Sequence, residues 1–207
     1  MSAIEPVSIA ILAKAPIPGF AKTRLIPALG AEGAASFQQS LTARAVETAC
    51  AAATGPVTLW GAPDATHAAF AAVRARGIGL MQQPNGDLGA RMLAALAAAK
   101  GPALVIGTDC PVLGSDDLRT AAEMLRDGTN VVLFPAEDGG YVLIGARRAE
   151  AALFADMTWS TPQVMTETRR RLREAKLSWQ EPVTLWDVDR PEDLDRLRAC
   201  GLGGLLP

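Results

Sequence analysis

The sequence predicts an α/β protein whose mostly parallel sheet carries helices on both faces. Three observations lead there. Short apolar runs alternate with helical patterns down most of the chain, the rhythm that sets parallel strands side by side with crossover helices between them. The runs are continuous rather than alternating, ALVIG at 103–107 most clearly, as strands covered on both faces require. No repeat, low-complexity tail or linker divides the 207 residues, so a single domain over 1–207 is expected.

In order, residues 7–12 read as a buried strand and 31–53 as a long helix. A short strand at 57–60 leads to an Ala-rich helix over 66–75, a strand at 79–83 and a helix over 88–99. After the strand at 103–107 comes a helix over 115–126, with Ser115 as N-cap and Asp116 and Asp117 acidic in its first turn. Strands at 131–135 and 141–144 flank Glu137-Asp138-Gly139-Gly140, where Asp-Gly-Gly is good hairpin chemistry. A helix over 162–175, a strand at 183–186 and a helix over 191–199 close the chain.

Composition excludes several classes. A net charge of −2 is wrong for a nucleic-acid surface, which needs clustered excess cations. No apolar run reaches the roughly 20 residues that span a bilayer. The opening Met1-Ser2-Ala3-Ile4-Glu5-Pro6 lacks the basic region of a signal peptide, so the cytoplasm is the expected location. Cys50, Cys110 and Cys200 are odd in number and far apart, which suits a reducing compartment and gives no metal spacing. The single histidine, His67, has no Ser or Cys nucleophile motif beside it, which argues against a His-dependent hydrolase or a zinc site.

In open parallel sheets ligands bind outside the carboxyl ends of the strands, so the loops just after strands carry the candidates. The first such loop, AKAPIPGFAKTRL, holds two of the chain's four lysines, Lys14 and Lys22, and Arg24 adds a third cation. Pro and Gly stiffen it and open it to close approach, and three converging cations suit a polyphosphate. It is neither a P-loop nor G-x-G-x-x-G. Asp109, just past the 103–107 strand, is placed to meet a divalent ion; Mg²⁺ needs only one or two protein carboxylates beside phosphate oxygens. Asp187 and Asp189, two apart, share one face of an extended segment and complete that set, while Asp189-x-x-Glu192 equally resembles a capping box. Gln83, Gly86, Asp87 and Gly89 link a strand end to a helix, either as a nucleobase wall or simply as a turn and helix start. Asp138, Gly139, Gly140 and Tyr141, with Trp159 and Ser160, are the candidates for a second substrate.

Taken together, AKAPIPGFAKTRL, NGDLGARM, TDCPVL, EDGGYVLIG, MTWSTPQV and DVDRPEDL resemble one family across 9–197: bacterial proteins described as glycosyltransferase-A-like, or radical-SAM/selenodomain-associated transferase type 1. The resemblance implies the nucleotide-diphospho-sugar transferase superfamily and its Rossmann-like three-layer α/β/α sandwich. It implies Lys22 on the nucleotide phosphates with Arg24 beside it, Asp109 on the metal (Mg²⁺ or Mn²⁺), Asp189 as a second ligand, and 86–89 along the base. Two departures matter. Lys14-Ala15 stands where many nucleotidyltransferases have a Gly-Gly or Ala-Gly pair, which shifts the phosphate grip towards side chains. Thr108-Asp109-Cys110-Pro111 lacks the Asp-x-Asp usual in glycosyltransferases.

The expected function is transfer from a nucleoside triphosphate or nucleotide-sugar, with a divalent metal, to a small acceptor; glycosyl and nucleotidyl transfer both stay open. Neither nucleic acid nor membrane is expected as a partner, and a homodimer is left open. The competing class is a nucleotide-binding module without turnover that serves a partner protein. The presence of Asp109, Asp187 and Asp189 beside the cations speaks against it.

Overall fold

In the computed structural model, which describes residues 4–207, the first apolar run forms β1 (Ser8–Lys14). Met1, Ser2 and Ala3, where the N-terminus was read as unlike a signal peptide, lie outside the described residues. After β1 come α1 (Ile26–Ala52), β2 (Val57–Ala62), α2 (Ala71–Ala75), β3 (Gly79–Gln82), α3 (Leu88–Ala98), β4 (Ala103–Ile106) and α4 (Ser115–Arg126). β5 (Val131–Pro135), β6 (Tyr141–Ala146), α5 (Val164–Glu174), β7 (Trp179–Gln180) and α6 (Pro191–Ala199) complete the chain. Among the described residues, seven strands form one sheet in the order β3-β2-β1-β4-β6-β5-β7. Only β6 runs antiparallel to its neighbours, β4 and β5. The mostly parallel α/β sheet expected from the sequence is the one that forms.

Strand alternation divides the core. Ile9 and Ile11 of β1 face a cluster with Val46 of α1, Leu118 and Leu125 of α4, and Phe70. Ala10, between them, faces the other side, where Met92 and Leu96 of α3 meet Met165 and Leu172 of α5. Each large apolar side chain so buried contributes roughly 1.5–3 kcal/mol. A third cluster sets Leu25, Phe37 and Leu41 against Trp186, Val188, Leu194 and Leu197. It lays the 186–188 segment and α6 over the start of α1, and so brings late residues to the first loop.

Several local expectations shift. The long helix does run from Ala31, but it is preceded by one turn from Ile26, broken at Gly30, whose φ of 72° and ψ of 168° no helix allows. The helix expected over 66–75 shortens to α2, with a 3-10 turn at Ala68–Phe70 whose Ala69 N–H donates to His67 Nδ1. Ser115 is not the N-cap of α4; Gly114 is, and its N–H donates to Asp117 Oδ2 at 2.8 Å. The last strand lies at Trp179–Gln180 rather than 183–186. Pro182 has no N–H to give a ladder, and beyond it only Leu185 returns to the sheet, bridging Ala136.

Candidate functional site

β1 ends at exposed Lys14, in register with Ala62 of β2. The loop beyond folds tightly: Phe20 and Ala21 both donate their N–H to Ile17 O, and Gly19 has a φ of 81°. Lys22 also sits in the left-handed region, at φ 48°, unusual for a residue with a side chain. That backbone turns its side chain inward until only 4% of it is exposed. Its ammonium lies 2.8 Å from Asp109 Oδ1 and donates to Val188 O at 2.6 Å. Arg24, one 3-10 turn later and largely exposed, pairs with Asp189. The Val188 N–H donates to Asp109 O at 2.8 Å and so pins the late segment to the end of β4. Two cations of the first loop, the aspartate after β4 and the carboxylates before α6 thus meet at the carboxyl end of the sheet.

The electrostatics follow from the contacts. Packing around Asp109 pushes its carboxyl up, but the Lys22 charge and hydrogen bond, then Lys14, then the Thr108 hydroxyl outweigh that and hold it below the ordinary carboxylate range. Asp187 goes the other way, pushed up to about 6 by burial first, then by the charges of Asp138, Asp109 and Asp189. No cation pairs with it among the described residues. Burial also pushes the neighbouring Cys110 thiol up to about 12, which makes it no nucleophile at neutral pH.

A divalent ion would find hard carboxylate oxygens here, but not a ready-made cage. Among the described residues, no three His, Cys, Asp or Glu side chains converge closely enough to hold a metal. Lys22 and Arg24 occupy Asp109 and Asp189, and Asp187 stands beside them. The capping-box reading of Asp189 with Glu192 is corrected: Asp193 Oδ2 takes the N–H groups of Asp189 and Arg190, at 2.9 and 2.7 Å.

The segment expected along a nucleobase is mostly structural. Gln83 is buried, and its Nε2 donates to Ala13 O and Trp60 O, tying β1 and β2 together. Asp87 caps α3 by accepting from the Ala90 N–H at 2.8 Å. Gly86 takes a φ of 117° to enter the helix. Gly89 clears room for Trp159, since a Cβ there would lie 2.6 Å from the indole Cζ2.

The acceptor candidates are brought together. Tyr141 and Trp159 meet edge to face, with centroids 6.4 Å apart, and Trp159 stacks on Phe154. Gly139, at φ 90°, lets the β5–β6 turn press against Pro162, whose carbonyl oxygen a Cβ would meet at 2.3 Å. Met165 donates its N–H to Gly139 O at 2.9 Å. Asp138 Oδ1 accepts from the Gly140 N–H, and Ser160, at φ 61°, turns the chain out of Trp159. Gly89 links this side to the α3 start. A cleft of about 890 Å³ lies at the opposite end, where β4 and β5 begin, and none of these residues lines it.

Sequence reading missed the support beneath Asp109. Gln38 and Thr42 of α1, both buried, face the end of β4, where Gln38 Nε2 donates to Thr108 Oγ1 at 3.0 Å. Arg44 donates to Pro111 O and holds the far side of the turn. The available signal was two polar residues, i and i+4, within an otherwise apolar helix face.

The fold is that of nucleotide-diphospho-sugar transferase structures. The chain belongs to the family described as "uncharacterized protein conserved in bacteria (DUF2064)", whose model matches residues 45–161. A Desulfovibrio desulfuricans G20 protein with the provisional name nucleotide-diphospho-sugar transferase superposes with a TM-score of 0.82 at 22% identity, over 96% of this chain and 93% of that one. A CMP:2-keto-3-deoxy-manno-octonic acid synthetase complexed with CTP gives 0.60 at 16% identity, over 95% and 98%. A manganese complex of Rv0371c from Mycobacterium tuberculosis H37Rv gives 0.54 at 17% identity, over 92% and 97%. No curated protein matches the sequence. Among the described residues, no helix is long and apolar enough to cross a membrane.

Proposed function

We propose that this chain, one transferase-like domain, moves a group from a nucleoside-phosphate donor to a small acceptor with the help of Mg²⁺ or Mn²⁺. The carrying observation is the meeting of Lys22 and Arg24 with Asp109, Asp187 and Asp189 outside the strand ends. Cations there match donor phosphates, and carboxylates beside them match the counter-ion that such phosphates bring. The CTP and manganese bound in two proteins of like fold support the same reading.

The residues fit a divalent ion of the Mg²⁺ kind, held by one or two of Asp109, Asp187 and Asp189 with phosphate oxygens completing its shell. When bound, it would neutralise charge developing on the transferred group. The protein's own share is positioning. Lys22 and Arg24 hold phosphate oxygens, with Lys14 at the rim. Asp138, Tyr141 and Trp159 flank the acceptor, and the turn at Gly139 sets them against α5. Nothing in this scheme needs a covalent intermediate.

Thermal stabilisation by a panel of nucleoside triphosphates and nucleotide-sugars, each with Mg²⁺ or with EDTA, tests the reading. A ligand at ~100 times its Kd adds roughly 2.7 kcal/mol to the native state. A metal-dependent shift with a triphosphate supports nucleotidyl transfer; a shift with a nucleotide-sugar alone supports glycosyl transfer. A panel without any shift would sink the proposal.

A further inference from the structure

We infer that Gln38 and Thr108 are positioning residues that aim the Asp109 carboxylate, leaving Oδ2 as the oxygen presented to the metal. The inference rests on the donor-site reading above and adds to it a buried relay from α1. Gln38 is 2% exposed and Thr108 5%. Gln38 Nε2 lies 3.0 Å from Thr108 Oγ1 and 3.3 Å from Thr42 Oγ1.

The direction of each hydrogen bond is fixed by counting protons. The Thr42 hydroxyl gives its proton to Gln38 O at 2.9 Å, so towards the Gln38 amide it offers only lone pairs. The amide therefore turns its NH₂, not its oxygen, to both hydroxyls. Thr108 Oγ1 accepts from it, and the Thr108 proton is left to reach Asp109 Oδ1 at 3.3 Å. Lys22 Nζ approaches that same oxygen at 2.8 Å. Among the described residues no hydrogen bond reaches Oδ2. Two donors on one oxygen of a freely rotating carboxylate fix its plane, and groups that orient a metal ligand in this way are typically worth 10–100-fold in metal affinity.

The experiment is Mn²⁺ binding by electron paramagnetic resonance, with the nucleotide that stabilises the wild-type chain present. Thr108→Val, which keeps the shape and loses the hydroxyl, is expected to weaken Mn²⁺ about tenfold in a chain that still folds, its melting temperature lowered by the acceptor that Gln38 Nε2 loses. Thr108→Ser, which restores the hydroxyl, should return to within about twofold of wild type, and a purely packing role would not produce that rescue. Gln38→Met should match Thr108→Val. Thr108→Val binding Mn²⁺ as tightly as wild type overturns the relay alone, whereas a wild-type chain that takes up no Mn²⁺ overturns the relay and the donor-site reading together.

Discussion

The Lys22 ammonium lies 2.8 Å from Asp109 Oδ1, across 87 residues of chain, with its side chain almost wholly out of solvent. A cation suited to donor phosphate and a carboxylate suited to metal thus satisfy each other when neither ligand is bound. Metal alone, arriving at Oδ2, brings a second cation to a carboxylate that Lys22 already neutralises, and nucleotide alone draws Lys22 from Asp109, leaving a charge uncompensated. When both arrive, the metal supplies Asp109 with the charge that the nucleotide draws away.

Nucleotide and metal are therefore expected to stabilise the protein cooperatively. The melting shift with both should exceed the sum of the separate shifts, and Lys22→Met should abolish the excess. Simple additivity in the wild-type chain would refute the exchange.

Asp187 gives a pH signature. Its folded carboxyl, raised to about 6, keeps a proton that the unfolded chain releases near pH 4. The native state binds more protons in that window, so this group's contribution to stability falls as pH rises from about 4 to 6 and stays low above it. Asp187→Asn should stabilise the protein at pH 7 by about 1 kcal/mol, allowing for solvent screening, and have no effect below pH 4. Urea melts at pH 3.5 and 7 check it; an equal effect at both rules out the carboxyl as the cause.

Arg24 and Asp189 separate stability from function. Their pair is exposed, 64% and 40% at the side chains, and such pairs contribute about 0–1 kcal/mol. Arg24→Ala should leave the melting temperature nearly unchanged while reducing the nucleotide-induced shift. A variant that unfolds early but keeps the full shift would contradict the assignment.

Gly89→Ala tests the packing of the α3 start against Trp159. The new Cβ would press on Trp159 at 2.6 Å, and overpacking of this kind costs roughly 1–3 kcal/mol. Displacement of the indole should change the tryptophan emission maximum. A Gly89→Ala spectrum and stability identical to wild type would show that Trp159 does not need the gap.

Much of this was legible beforehand because strand ends are. The continuous apolar runs located β1 and β4; Asp109 comes just past β4, and Lys22 lies in the loop that follows β1. Tyr141 and Trp159 were named together as candidates for a second substrate, and the structure sets their rings edge to face. Gln83 and Asp87 read two ways, because an amide or carboxylate after a strand has the same composition whether it reads a base or ties two carbonyls and caps a helix. Ser115 misled: a side-chain cap and a backbone cap closed by Asp117 differ only in which residue turns first.

Periodicity and turn chemistry act over a few residues, and they suffice to set the α/β order and the positions of the loops that carry charge. Tertiary structure decided the partners. Packing of Leu25, Phe37 and Leu41 against Trp186, Val188 and Leu194 sets the late segment over the first loop. Only then can Lys22 reach Val188 O and Arg24 reach Asp189, while α1 against the end of β4 brings Gln38 to Thr108, contacts between residues 70 to 166 positions apart that no local pattern records.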